Sequence, residues 1–361
     1  MQSHQIRGIR TAEELMRDNM IVKHYAGSIS YGTNIATSDV DFRGLFCADP
    51  VNIRTPFFTV RECTDVTEED TVLYELAHFM KLCLDCNPNV IETLWVDPAD
   101  ITFRTPAYDI LRDARRGLLS SKMAFTFSGY AISQLGRIKG HNKWINNPQP
   151  VDPPPQINYV SLVQNFTADK IFRIDIRDYE DGYRLIPYGR DIFGLIEAPG
   201  YRTFSYDLTL NTNYEEGEGT SPSDARKRPL LIVKFNKEEY KQAKETHAKY
   251  WNWKNNRNAA RSELEEQFGY DTKHAMHLVR LLRMGVEGLR DGEIIVKRPD
   301  AKELLQIRDG LWTYEEIVEY ATEMDHQVRD VLYKQTRLPK KPDIKFAAQL
   351  LMGVQDSIWV P

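Results

Sequence analysis

The sequence predicts an α+β fold, and three observations point that way. A helix-capping signature and several short apolar runs alternate over the first 145 residues. A proline-led stretch rich in tyrosine, glycine and β-branched residues follows, to about Pro229. After Phe235 the pattern turns helical and stays so to about residue 335.

Taken in order, Thr11 with Glu14 three residues later forms a capping box, so a helix should run to about Asn19. Ile21 to Ala26 reads as a strand ending at Gly27, followed by a small, polar loop over 27–38. Asp39 to Cys47 reads as the next strand and Thr71 to Leu76 as a third, with a helix from Leu76 to the Asn87-Pro88 stop. Beyond the apolar segment Val90 to Val96, helical patterning extends from about Pro106 to Ile138. The prolines between Asn146 and Pro155 prevent helix and central strand, marking a linker or stiff loop. The acidic, glycine-bearing stretch Tyr214 to Asp224 reads as a mobile loop. Helices are expected near 237–266, 271–291, 300–309 and 313–335. There is no internal repeat.

Composition narrows the function classes. Of 361 residues, 42% are hydrophobic and 27% charged, which fits a folded soluble chain rather than a disordered one. No apolar run approaches the roughly 20 residues of a membrane helix, and the first ten residues carry no apolar signal core. Four cysteines are too few for a disulfide scaffold, and one Cys83-x-x-Cys86 pair without a second is a poor zinc ribbon. A reduced, cytoplasmic location is therefore expected. The formal charge of −5 excludes a generally basic nucleic-acid coat and leaves room for a local basic groove.

The chemistry concentrates in Gly27-Ser28-Ile29-Ser30-Tyr31-Gly32-Thr33 and Ser38-Asp39-Val40-Asp41-Phe42-Arg43-Gly44. A phosphate loop of the ATPase kind fails, because Thr33 follows Gly32 directly and the required lysine is absent. In a strand, alternate side chains share a face, so Asp39, Asp41 and Arg43 would project together. Two adjacent carboxylates repel each other unless a cation lies between them, and Mg²⁺ takes hard oxygen ligands while sharing its sphere with phosphates. At Gly27-Ser28, glycine lets backbone approach a triphosphate and the Ser28 hydroxyl and N–H groups can bond its oxygens.

These strings resemble a known family. Gly27-Ser28 followed by Asp39-Val40-Asp41 is similar to the signature of the DNA polymerase beta superfamily of nucleotidyltransferases. The fuller strings resemble the nucleotidyltransferase family linked to RNA repair. So do Tyr74-Glu75-Leu76, Asn87-Pro88-Asn89-Val90-Ile91-Glu92, Gly129 to Leu135, Lys273 to Met284 and Val296-Lys297-Arg298-Pro299-Asp300. The resemblance covers about 20–145 and 268–345. It implies a small mixed sheet flanked by helices and transfer of a nucleoside monophosphate from an NTP, dependent on Mg²⁺ or Mn²⁺, with release of pyrophosphate. Asp39 and Asp41 match the metal-binding pair. A third acid lies on the following strand in the superfamily; Glu75 is preferred, for its apolar–acid–apolar setting, with Asp70 as the rival. Gly27, Ser28, Tyr31, Thr33, Ser38 and Arg43 are the nucleotide-binding candidates in this stretch. The acceptor implied is RNA, either a tRNA or an RNA 3′ end. A protein or small-molecule acceptor, or a binding module that has lost its chemistry, stands as the alternative.

Two further constellations bear on binding. Lys273, His277 and Arg280 share a helical face and read as a cationic wall for a triphosphate or RNA backbone, or as scattered surface cations. His274 and His277 have no cysteine or acid at a spacing that suggests zinc. Lys237, Lys241 and Lys244, followed by Lys249, Tyr250, Trp251, Trp253, Lys254, Arg257 and Arg261, interleave cations and rings as single-stranded nucleic acid requires, though tryptophans facing a core read the same way. Arg137, Lys139 and Lys143 either reach a ligand or form a solvent edge. The division expected is a catalytic domain at 1–145, an insertion at 146–230, a helical region completing the cleft at 231–345, and a tail at 346–361.

Overall fold

The computed structural model describes residues 10–65, 70–165, 175–212, 227–257 and 259–359. The chain forms two compact units, one of Met1–Asn146 with Ala259–Pro361 and the other of Asn147–Asn258.

The first unit opens with α1 (Ala12–Asp18), where Thr11 and Glu14 close the capping box. Then follow β1 (Met20–Tyr25), the short α2 (Gly27–Tyr31), β2 (Phe42–Phe46), α3 (Pro50–Arg54), β3 (Glu62–Asp65) and β4 (Thr71–Glu75). Next come α4 (Leu76–Leu84), α5 (Pro88–Ile91), β5 (Ile101–Arg104), α6 (Pro106–Asp113) and α7 (Met123–Asn146). The five strands make one mixed sheet in the order β3-β4-β2-β1-β5. β2 runs antiparallel to β1 and parallel to β4, with Phe42 opposite Thr71 and Phe46 opposite Glu75. β2 is shorter than the sequence suggests, so Asp39 and Asp41 lie in the extended segment leading into it.

The second unit contains β6 (Val160–Asn165), β7 (Asp181–Gly189), β8 (Ile192–Arg202), β9 (Leu231–Phe235) and α8 (Lys237–Asn255). Its antiparallel sheet runs β6-β9-β8-β7 around a small core of Leu185, Phe193, Leu195, Leu231 and Val233. The compact unit thus extends past residue 230 to 258, taking in β9 and α8, which the sequence reading places with the helical region. The Tyr214 to Asp224 stretch lies outside the described residues.

The chain returns to the first unit with α9 (Ala259–Phe268), α10 (Thr272–Asp291), α11 (Ala301–Arg308), α12 (Tyr314–His326), α13 (Tyr333–Gln335) and α14 (Ile344–Trp359). α14, where a tail is expected, buries Ala347 and Val354, and Trp359 Nε1 donates to the Ala48 carbonyl at 3.0 Å. The main core joins β1 and β2 to α4, α7 and α10 through Leu45, Phe79, Phe127, Leu135, Leu278 and Leu282. A satellite core of Leu15, Phe46, Ala48 and Leu73 covers the other sheet face under α1. Among the described residues, no helix is long and apolar enough to cross a membrane.

At Gly44 the backbone of β2 lies close against β1. A Cβ there would overlap the Val22 carbonyl oxygen and come within 2.7 Å of Leu73 Cδ2. Gly44→Ala should lower unfolding stability by about 1–3 kcal/mol through overpacking of the sheet, read as a reduced midpoint in urea.

Candidate active site

Three carboxylates meet where β1 ends and β2 and β4 begin. The Ala26 N–H donates to the Asp41 carbonyl at 2.8 Å, and the Phe42 N–H donates to the Asp70 carbonyl at 3.3 Å. Because β2 and β4 are parallel and in register at Phe42–Thr71, Asp41 and Asp70 are neighbours across the strand starts. Gly27 completes the corner with φ +58°, and the space where its Cβ would sit is filled by Asp41 Oδ2. Only glycine tolerates both the left-handed backbone and that contact. Asp41 is half-buried, Asp39 and Asp70 exposed. Burial first, then the charges of Asp70 and Asp39, pushes the Asp41 carboxyl above its ordinary range, while Arg43 and Lys273 pull it down. Lys273, the second residue of α10, therefore belongs electrostatically to this corner.

Comparison with known families addresses this stretch. Residues 1–146 match the RlaP family, an RNA repair pathway DNA polymerase beta family. No curated protein and no solved structure matches the chain. The RlaP match spans Gly27, Ser28, Asp39, Asp41 and Asp70, and agrees with the family that the two strings resemble. Lys273, His277 and Arg280 lie beyond it.

Glu75, the preferred third acid, is not brought to this corner. It stands at the far end of β4, opposite Phe46, and is buried. Its Oε2 accepts from the Ala77 and His78 N–H groups at 2.7 and 3.0 Å, capping α4. The apolar–acid–apolar pattern there marks a helix N-cap, a position acids occupy to satisfy free N–H groups. Asp70 is the acid placed beside Asp41.

Several nucleotide-binding candidates instead form a buried network around Glu92. The Tyr31 hydroxyl donates to both Glu92 oxygens, at 2.7 and 2.9 Å. Arg43 Nη1 reaches Glu92 Oε1 at 3.3 Å and the Asn89 carbonyl at 2.6 Å. The Arg280 guanidinium lies over the Tyr31 ring at 3.6 Å, with Nη1 3.9 Å from Glu92 Oε2. In this structure Tyr31, Arg43 and Arg280 thus engage Glu92 and one another. The sequence gives Glu92 no individual role; its signals are a charged residue following the apolar pair Val90-Ile91 and its place at the end of one of the family-like strings.

The remaining candidates divide. Thr33 is buried, with its hydroxyl turned inward. Ser38 Oγ accepts from the Ile35 N–H at 2.9 Å, holding the loop before Asp39. Ser28 is partly exposed beside Gly27. His277 has its imidazole pKa pushed down to about 3, by burial first and then by Arg280 and Lys273, so it is neutral near pH 7. The cationic wall reduces to Lys273. A support missed in the sequence is Lys297, whose Nζ donates to the Ile29 carbonyl at 3.1 Å and reaches Asp100 Oδ2 at 3.2 Å. The Arg298 N–H donates to the Tyr31 carbonyl at 3.1 Å, so this strap braces α2 from behind.

Elsewhere, Cys47, Cys83 and Cys86 are buried free thiols. On α8, Tyr250 is buried and Lys254 lies 5.1 Å from the Trp251 ring, while Arg257, just past the helix end, lies 4.5 Å from the ring of Trp253. The Arg261 side chain lies outside the described residues. Lys139 and Lys143 are exposed, and Arg137 Nη1 donates to His274 Nε2 at 3.3 Å.

Two outcomes follow. Glu92→Gln should cost about 3–5 kcal/mol, because it leaves two arginines facing a neutral group, as measured by chemical denaturation. Asp41 ionises at a cost in the folded state, since its pKa is raised there. That cost is absent at low pH and fully present once pH exceeds the folded pKa. In chelator, Asp41→Asn should therefore melt higher than the parent at pH 7 and equal to it near pH 3.

Proposed function

We propose that this chain is a metal-dependent nucleotidyltransferase that moves a nucleoside monophosphate from an NTP to a hydroxyl of RNA, a tRNA or an RNA 3′ end, and releases pyrophosphate. The observation that carries the reading is the meeting of Asp39, Asp41 and Asp70 beside a glycine that leaves no room for a side chain. An all-oxygen set in which burial and the charges of Asp70 and Asp39 hold the Asp41 carboxyl above its ordinary range suits a hard divalent cation such as Mg²⁺ or Mn²⁺. The half-buried Asp41 and exposed Asp39 and Asp70 would hold it. Bound there, the cation supplies charge neutralisation to the triphosphate and to the departing pyrophosphate.

The chain's own groups do the rest. The Gly27-Ser28 corner offers backbone N–H groups and a hydroxyl to phosphate oxygens, and Lys273 adds a positive charge on the same side. Asp70, at the exposed edge, orients the acceptor hydroxyl and receives its proton. The acceptor oxygen then bonds the α-phosphorus in line as the bond to the bridging oxygen of pyrophosphate breaks. RNA as acceptor is supported by the family description and by the cation–ring pairs of α8, which suit unpaired bases and their phosphates.

Each α-labelled NTP, incubated with Mg²⁺ or Mn²⁺ and pooled small RNA, should label RNA with one of the four. Asp39→Asn/Asp41→Asn should abolish transfer, and Asp70→Asn should slow it by about 100-fold or more. Glu75→Gln should lower stability while leaving the rate of the folded protein near that of the parent. Transfer that survives Asp70→Asn and disappears with Glu75→Gln would reverse the assignment of the third acid. Label on the protein itself would replace RNA by a protein acceptor.

A further inference from the structure

A second cluster of metal-ligating side chains lies in the first unit, on residues the transfer reaction does not use. Asp271 is the N-cap of α10, with Oδ1 accepting from the His274 N–H at 2.9 Å. His274 Nδ1 lies 2.5 Å from Asp271 Oδ2. Since Arg137 can only donate, His274 Nε2 is the acceptor of its hydrogen bond, and the ring proton sits on Nδ1 facing Asp271. His141 of α7 brings its Nδ1 to 3.5 Å from Asp271 Oδ2 and 3.8 Å from Glu265 Oε1 of α9. The ligand atoms of His141, Glu265 and Asp271 all lie within 4.8 Å of one another. Both carboxylates are buried, at 4% and 2% exposure. The acid that the sequence reading found missing beside His274 is therefore present, three residues before it at cap spacing.

We propose that His141, Glu265 and Asp271 bind a zinc ion, with His274 as the positioning residue that orients Asp271. Zinc bonds of about 2.0–2.2 Å to nitrogen and oxygen place tetrahedral ligands about 3.3–3.6 Å apart, and the two His141 edges fall at or just above that range. One nitrogen and two oxygens from three helices leave a fourth position for water, the arrangement of three-ligand zinc sites. The Nδ1–H of His274 on the ligating carboxylate is the outer-shell contact that fixes ligand orientation in such sites. The imidazole also separates this site from the acid corner, because nitrogen favours zinc while Mg²⁺ prefers oxygen alone. The ion would join α7 and α9 to the cap of α10, two residues before Lys273.

The test uses the full chain carrying Asp39→Asn and Asp41→Asn, which removes the acid corner as a competing site. Stripped of metal and titrated with Zn²⁺, it should take up one ion per chain, keep it in excess Mg²⁺ and melt higher. Co²⁺ in place of Zn²⁺ should give the visible absorption of a four-coordinate nitrogen–oxygen site. His141→Gln or Glu265→Gln should abolish stoichiometric uptake, and His274→Ala should weaken it by about 10–100-fold. Absence of Zn²⁺ uptake and of the Co²⁺ spectrum in the parent would overturn the proposal without relying on any variant's folding. So would uptake unchanged in folded His141→Gln. Neither result depends on nucleotidyl transfer, so the reading of the acid corner stands or falls separately.

Discussion

The acid corner depends on one buried carboxylate that does not belong to it. Burying Glu92 costs several kcal/mol unless its charge and lone pairs are met. They are met by the Tyr31 hydroxyl from α2, the Arg43 guanidinium from β2 and Arg280 from α10. Each of these elements carries, or directly follows, a group of the corner at a fixed offset. Tyr31 is about one helical turn beyond Gly27. Arg43 is two strand positions beyond Asp41, and Arg280 two turns beyond Lys273. A single anion thus sets the phase of three elements. Residues with the charge and position expected of ligand contacts are taken up in holding the contacts in place.

That displacement explains what was legible in the sequence. Gly27-Ser28 and Asp39-x-Asp41 are each local patterns, and the antiparallel pairing of consecutive strands β1 and β2 brings them together. The third acid depends on strand direction, which no local pattern states. Because β4 runs parallel to β2, the start of one adjoins the start of the other, and Asp70 meets Asp41 while Glu75 is carried to the opposite end. The sequence did contain a hint about Glu75, since an acid directly before an apolar helix is a capping position as readily as a ligand. Asp271 and His274 repeat the lesson, because a search for metal spacing passes over an acid at cap spacing.

The division into units shows the same limit at larger scale. The expected boundary at 230 follows a change from strand-like to helical composition. Compactness follows contacts instead. Tyr240 of α8 packs against Tyr159 and Phe235, and His247 and Trp251 both donate to the Pro150 carbonyl, at 3.0 and 2.8 Å. The proline run that reads as a linker is also the surface α8 rests on. A helix identified by periodicity carries no label for the core it serves.

α10 is fixed at two places, and Lys273 lies at one end of the interval between them. At its N-terminus Asp271 caps the helix and engages His274 and His141. Two turns on, Arg280 is locked between Tyr31 and Glu92. A lysine side chain has a flexible four-carbon stem, so the position of its charge is only as definite as the backbone that bears it. Here that backbone can neither slide along its axis nor rotate about it without breaking a buried polar contact at one end or the other. Lys273, like Arg43, pulls the Asp41 carboxyl down, offsetting part of what burial and the charges of Asp70 and Asp39 add to it. The two anchors of α10 are therefore part of the electrostatic balance of the corner, although neither touches it.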